Sequence, residues 1–163
     1  MPQLSLHTPI GDISVSEEDG AIVAVDWGWG RDQSETALLT EARAQLHAYF
    51  DAELTEFHLP LAPAGTPYRR RVWEVLRAIP YGESRSYAEI ARLAGGSARS
   101  VGQASGANPI PILIPCQRVL STTGLGGYSG GEGLETKRVL LALETRVSYP
   151  ISLPDLPLWA PAR

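Results

Sequence analysis

One thiol carries whatever nucleophilic chemistry this chain has. Cys116, the single cysteine among 163 residues, lies in the stretch NPIPILIPCQRVLSTTGLGGYSGG, residues 108–131. An unassisted cysteine is still a few per cent thiolate at neutral pH and is intrinsically nucleophilic, and a base beside it raises that reactive fraction. The neighbour here is Gln117, an amide that donates and accepts hydrogen bonds but takes up no proton near neutrality. Two readings follow: a buried thiol with a packing role, or a nucleophile that works beside an amide. The three histidines, His7, His47 and His58, all lie in the first 60 residues, and no Cys/His cluster has zinc-site spacing. The segment GLGGYSGGEG, residues 124–133, has six glycines in ten, enough for tight turns and for backbone close to a ligand. It matches neither the P-loop nor the dinucleotide fingerprint.

The charge distribution says what that thiol could face. The net charge is −4, which argues mildly against nucleic acid, but the average conceals an asymmetry. Residues 1–65 carry Arg31 and Arg43 against eleven acidic residues; residues 66–120 carry eight arginines against Glu74, Glu83 and Glu89. The middle of the chain is therefore suited to an anion, unless the asymmetry is a chance surface distribution. All eight of those cations are arginine, whose planar fork suits phosphate and bases. The length allows one medium domain or two small ones with a real core. There is no apolar run of about 20 residues and no signal-peptide pattern at the N-terminus, so a reduced, cytoplasmic protein without a membrane partner is expected.

The elements that must position the thiol are legible in outline. Residues 3–29 alternate apolar and polar types with turn signals at PIGD and EEDG, which predicts two or three antiparallel strands. Residues 36–51 place Leu38, Leu39, Ala42, Leu46, Tyr49 and Phe50 on one helical stripe. HLPLAPAG, residues 58–65, reads as a linker. Thr66 and Pro67 then open a helix whose apolar face includes Val72, Val75, Leu76 and Ile79, and IPYG stops it. Ser86 and Glu89 have capping-box spacing, Gly95 and Gly96 end that short helix, and Ser97 caps another. Helix, glycine turn, helix is the layout of a helix-turn-helix. Ala98, Gly102, Ser105 and Gly106 leave the second helix with an almost bare face, fit for close helix packing or for something bulky approaching the backbone. Prolines 109, 111 and 115 make the lead-in to Cys116 neither helix nor central strand, but an extended, buried segment. A closing helix over 134–144 is expected to bury Leu134, Val139, Leu140 and Leu143, before a loose proline-rich tail over 147–163.

With these segments assembled, residues 65–144 resemble the O6-alkylguanine-DNA alkyltransferases, suicide repair proteins for alkylated guanine. The words that carry the resemblance are GTPYRRRVWEVLRAIPYGESRSYAEIA, ARSVGQASGANPIPILIPC, RV and GGYSGG, followed by K and LLALE. It implies an α/β (α+β) protein: a small N-terminal antiparallel sheet plus helix domain over 1–64, then a mainly helical, winged-helix-like DNA-binding domain with a helix-turn-helix over 65–146. The implied partner is double-stranded DNA carrying O6-alkylguanine, with no cofactor and no metal. A monomer is expected, with cooperative loading along DNA compatible with it, in the cytoplasm and at the nucleoid when bound.

The resemblance also implies roles. Arg99 would fill the gap left by a flipped base, Tyr87 would help rotate the nucleotide out, and Ser97, Ser100 and Gly102 would lie against the sugar-phosphate. The everted guanine would enter a pocket formed by Val119, Pro111 and the loop with Gly126, Tyr128 and Ser129. Cys116 would take the alkyl group while Tyr87 protonates the leaving guanine. Asn108 and Arg118 would tie the segment around Cys116 to neighbouring backbone, and Glu144 would be the far end of the relay that activates the thiol.

One departure matters. The family word Pro-Cys-His-Arg-Val is PCQRV here, so Gln117 replaces the histidine that takes the thiol proton through a water. A positioned general base is typically worth about 10²–10⁴-fold. A working but slower single-turnover transferase is therefore expected, with a thiol pKa less depressed than in relatives. The alternative is an alkyltransferase-like lesion-binding protein that recognises O6-alkylguanine without efficient transfer, although such proteins replace the cysteine itself.

Overall fold

Three strands at the start of the chain pair as soon as the sequence alternates. β1 (Gln3–Leu6), β2 (Ile13–Glu18) and β3 (Ala21–Trp27) form an antiparallel sheet in that order. The computed structural model describes residues 1–148, so the tail expected over 147–163 lies outside the described residues beyond Ser148. The chain divides into two units: residues 1–64 with Pro109–Leu113, and residues 65–108 with those from Ile114 onward.

In the first unit, period-two patterning buries Leu4, Leu6, Ile13 and Val15, and α1 (Ala37–Phe50) packs on β1 and β2. The Thr36 hydroxyl accepts from the Leu39 amide at 3.1 Å and caps α1, which buries Leu39, Ala42, Leu46 and Tyr49. The segment read as a linker is more than that. The Ile22 amide donates to Pro60 O and the Ala62 amide donates to Ile22 O, both at 2.8 Å, closing a parallel bridge between Ile22 and Leu61. Farther along β3, the Val25 amide donates to Pro109 O at 2.9 Å. An exposed strand edge has donors that need partners, and two proline-flanked segments supply acceptors there.

In the second unit, α2 (Pro67–Arg77) begins at Thr66, whose hydroxyl accepts from the Arg69 amide at 3.1 Å. It buries Val72, Trp73 and Leu76, and Trp73 Nε1 donates to Ala104 O at 2.8 Å. That bond reaches α4 (Ala98–Gly106), so a tryptophan absent from the expected apolar face locks two helices together. Between them, β4 (Arg85–Ser86) leads into α3 (Tyr87–Ala94), and β5 (Val119–Leu120) pairs with β4 in parallel register. This two-residue ladder brings Tyr87 beside the chain that has just left Cys116.

The last helix, α5 (Leu134–Ser148), runs four residues past its expected end and turns a different face inward. Leu134 and Val139 are 40% and 36% exposed, whereas Thr136, Lys137, Leu140, Leu141, Glu144 and Thr145 are buried. The reason is chemical. The surroundings of that face include backbone carbonyls and a guanidinium, so the polar residues find partners there and two apolar ones turn outward. The fold class is the mixed α+β expected. Among the described residues no helix is long and apolar enough to cross a membrane, and no group of three His, Cys, Asp or Glu could hold a metal ion.

Candidate active site

The turn that aims the thiol is built by Pro115. Its φ of −79° and ψ of 67° are those of an inverse γ-turn, and the Cys116 amide donates back to Ile114 O at 2.8 Å. Proline fixes that φ in advance. Asn108 Nδ2 donates to the same Ile114 carbonyl at 2.9 Å, and the Asn108 side chain also hydrogen-bonds the thiol. One turn of 3₁₀ helix, Cys116–Arg118, follows. Ile112, a β-branched residue at φ 75°, sits in a left-handed conformation in the preceding segment, where such residues are rare.

Cys116 is 7% exposed and reaches a cavity of about 600 Å³ lined by Tyr87, Arg99, Gly102, Ser105 and Tyr128 together with backbone at Gly127. The helix-turn-helix supplies one wall. Ser86 and Glu89 make the reciprocal capping box, and Ser97 and Ser100 make a second at α4, each hydroxyl accepting from the other's amide at 3.1 and 2.9 Å. Gly96, at φ 80°, allows the turn between α3 and α4. A Cβ there would lie 2.5 Å from the Tyr68 hydroxyl, which itself donates to Gly95 O at 2.9 Å. Arg99 is exposed in the first turn of α4.

The loop after β5 supplies the facing wall. The Gly127 amide donates to the Tyr87 hydroxyl at 3.2 Å, and Ser129 Oγ donates to Gly106 O at 3.2 Å. Gly126 (φ 73°) lies so close to the Tyr87 ring that a Cβ would come within 2.6 Å of Cε2. Burial pushes up the Tyr87 hydroxyl, against the pull of its bond to Gly127 and with a smaller push from Cys116. The Tyr128 hydroxyl is raised by burial first and then by the neighbouring thiol. Burial likewise pushes the Cys116 thiol up, while Asn108 and then Lys137 pull it down.

Beneath the thiol lies a buried polar cluster. Gln117 Nε2 donates to Glu144 Oε2 at 2.9 Å. Arg118 Nε donates to Glu144 Oε1 at 2.8 Å, and a second guanidinium nitrogen donates to Oε2 at 3.2 Å. The remaining Arg118 fork nitrogen donates to Ile79 O at 2.8 Å. Arg118 thus reaches backbone at Ile79, but its main partner is the Glu144 carboxylate. The guanidinium also stacks over the Tyr81 ring, whose hydroxyl burial raises to about 12, with Glu144 adding to the rise.

The structure therefore gathers Cys116, Tyr87, Arg99, Gly102, Tyr128 and Ser129 around one cavity and stacks Gln117, Arg118 and Glu144 behind the thiol. Ser97 and Ser100 commit hydroxyls to capping and do not line the cavity, nor do Val119 and Pro111, which are buried. Gly126 is turned against Tyr87, and its neighbour Gly127 lines the cavity instead. Sequence reasoning missed Lys137. Fully buried on α5, it donates through Nζ to the carbonyls of Val119, Leu125 and Gly127. A usable signal existed: Lys137 is the only lysine in a chain with thirteen arginines, at helical spacing from Leu140, Leu141 and Glu144.

Comparison with known proteins agrees with this geometry. Residues 67–146 match the model of the 6-O-methylguanine DNA methyltransferase DNA-binding domain, and residues 4–63 match that family's ribonuclease-like domain. The chain is 42% identical over 157 residues to the constitutive methylated-DNA–protein-cysteine methyltransferase of Bacillus subtilis, covering 88% of this chain and 94% of that one. It is 51% identical over 161 residues to the methylated-DNA–protein-cysteine methyltransferase of Mycolicibacterium paratuberculosis, covering 91% and 94%. The crystal structure of Mycobacterium tuberculosis OGT in complex with DNA superposes with a TM-score of 0.81 at 38% identity, covering 90% of this chain and 94% of that one. With both halves matched and near-complete coverage of such relatives, the chain belongs to the 6-O-methylguanine DNA methyltransferase family.

Proposed function

We propose that this protein repairs DNA by transferring the alkyl group of an everted O6-alkylguanine irreversibly to Cys116. The observation that carries the reading is the thiol itself: the chain's one cysteine, aimed by a γ-turn into a cavity whose rim holds Arg99 and whose walls hold Tyr87 and Tyr128. Duplex DNA binds along α4, whose small residues Gly102, Ser105 and Gly106 let the sugar-phosphate approach. Arg99 occupies the vacancy in the base stack, which offsets part of the few kcal/mol that extrusion costs. Ser97 and Ser100 present the capped helix N-terminus to the backbone.

Inside the cavity, the Cys116 sulfur bonds to the alkyl carbon and the carbon–O6 bond breaks. Tyr87 protonates the departing guanine, so that in the balanced reaction the thiol proton ends on the base. Tyr128 and the backbone at Ser129 hold the purine. Asn108 fixes the turn that presents the sulfur. Gln117, Arg118 and Glu144 fix the floor beneath it. The protein acts once per molecule as a monomer, and lesion binding draws it to the nucleoid.

Intact mass after incubation with a duplex containing O6-methylguanine tests this reading. A gain of one methyl, absent in Cys116→Ser, is expected. Tight binding with unchanged mass would overturn transfer in favour of recognition alone.

A further inference from the structure

The turn between α3 and α4 has no buried side chain of its own. Gly95, Gly96, Ser97, Ala98 and Arg99 are all exposed, and the nearest buried residues on either side are Ala94 and Val101. Apolar burial holds α4 from Val101 onward and stops short of Arg99, which stands in the first turn, where helices fray. Hydrogen bonds must do what packing does not. The capping box of Ser97 and Ser100 is local to α4 and moves with it. Two residues one turn apart on α2, Tyr68 and Arg71, reach the turn from outside. Arg71 Nε donates to Ala94 O at 3.0 Å, and its guanidinium lies over the Tyr68 ring at 5.2 Å.

Arg71 grips the α3 side of the turn; Tyr68 joins it to the α4 side. The Tyr68 hydroxyl donates to Gly95 O at 2.9 Å and lies 2.7 Å from Ser100 Oγ. A carbonyl only accepts, so the phenol proton goes to Gly95 and the Ser100 hydroxyl donates to the phenol. Ser97 O, at 3.0 Å, is the more distant acceptor for that hydroxyl. The Ser97 amide in turn donates to Ser100 Oγ at 2.9 Å. A chain thus runs from the Ser97 amide through Ser100 and Tyr68 to the Gly95 carbonyl and closes the turn on itself. In such a chain each bond polarises the next. The space is kept clear for it: a Cβ at Gly96 would fall 2.5 Å from both hydroxyl oxygens.

We propose that Tyr68 is a positioning residue for DNA binding, its hydroxyl fixing the first turn of α4 and thereby the angle at which Arg99, the residue before Ser100, meets the base stack. This rests on the reading of α4 as the DNA-binding helix and of Arg99 as the group that fills the vacancy. Tyr68 does not line the cavity that holds Cys116, so its effect falls on the duplex and not on the sulfur. A first turn ordered in advance spares the complex the cost of ordering it on binding.

A double-mutant cycle tests this in the full-length protein carrying Cys116→Ser, so that binding of an O6-methylguanine duplex is read by fluorescence anisotropy without transfer. Tyr68→Phe removes the hydroxyl and keeps the ring under Arg71. It should weaken binding of the lesion duplex about ten-fold, the scale of one or two lost hydrogen bonds. In an Arg99→Ala background the same change should cost less than about two-fold, because the hydroxyl then has no arginine to position. A residue that only stabilises the fold would give the same loss with and without Arg99, and that additive result overturns the proposal. So does a Tyr68→Phe protein that binds as tightly as its parent while Arg99→Ala binds weakly. Should Arg99→Ala itself leave binding unchanged, the reading of α4 fails first and the role of Tyr68 falls with it.

Discussion

Gln117 Nε2 donates to Glu144 Oε2 at 2.9 Å, and this bond decides which way the amide faces. With the nitrogen committed to the carboxylate, Oε1 is left as the free end, buried and without a hydrogen-bond partner among the described residues. The position is therefore already oriented by the glutamate, and what it lacks is only basicity.

Gln117→His should restore that basicity with little rearrangement, because Glu144 can accept from one ring nitrogen. Single-turnover transfer from an O6-methylguanine duplex should accelerate about 10²-fold, the lower end of what a positioned base contributes. A variant no faster than the wild type would show that proton removal from Cys116 is not the slow step.

Arg118 and Glu144 form a doubly bonded, fully buried pair. Removing one partner strands the other, so Glu144→Leu should destabilise the protein by about 3–5 kcal/mol in urea unfolding. The double variant Arg118→Met/Glu144→Leu should recover much of that loss. If it is as unstable as the single variant, the pair holds more than its own charges.

Arg99 is exposed at the start of α4 and stands at the rim of the cavity. Arg99→Ala should weaken binding to lesion duplex, measured by fluorescence anisotropy, by about 1–3 kcal/mol, the range for losing a specific DNA contact. Reaction with free O6-benzylguanine should be unchanged. Equal loss in both assays would place Arg99 in the pocket chemistry rather than in extrusion.

Stability should rise with pH just above neutrality. The Lys137 amine titrates at about 8 in the folded protein, below its ordinary value of 10.5. Between these limits the unfolded chain binds a proton that the folded chain has released, so raising the pH favours folding. The Cys116 thiol, pushed above its ordinary 9.0, acts in the opposite sense once the unfolded thiol ionises. The urea midpoint should therefore climb from pH 8 and then flatten near 9. In Cys116→Ser the climb should continue further, and in Lys137→Gln it should be absent.

What the sequence made legible was local chemistry. Ser86 with Glu89, Gly95, Gly96 and Ser97 announce two capped helices and the turn between them, because a cap is decided by residues three apart. The alternation of β1–β3 and the stripe of α1 are likewise self-contained signals. The orientation of α5 was not legible, because its apolar residues alone point to the wrong face. Only with Arg118 and the carbonyls of residues 119–127 in place does it become clear that Lys137 and Glu144 belong inside. Trp73 escaped for the same reason, since its partner is a carbonyl 31 residues away. The bridge from Leu61 to Ile22 could not be seen in a stretch with the composition of a linker.

The γ-turn at Pro115 closes over three residues, from the Ile114 carbonyl to the Cys116 amide, whereas the charges around the sulfur come from a helix near the end of the described chain. The direction of the sulfur is thus set within three residues, while Lys137 and Glu144 reach its surroundings from a distant stretch of the same unit. Fraying of that helix would strand Arg118 without its carboxylate and release the three carbonyls that Lys137 holds, while the γ-turn itself stayed closed. Because α5 is the longest helix among the described residues, a fall in helix signal would announce that loss before the rest of the unit unfolds.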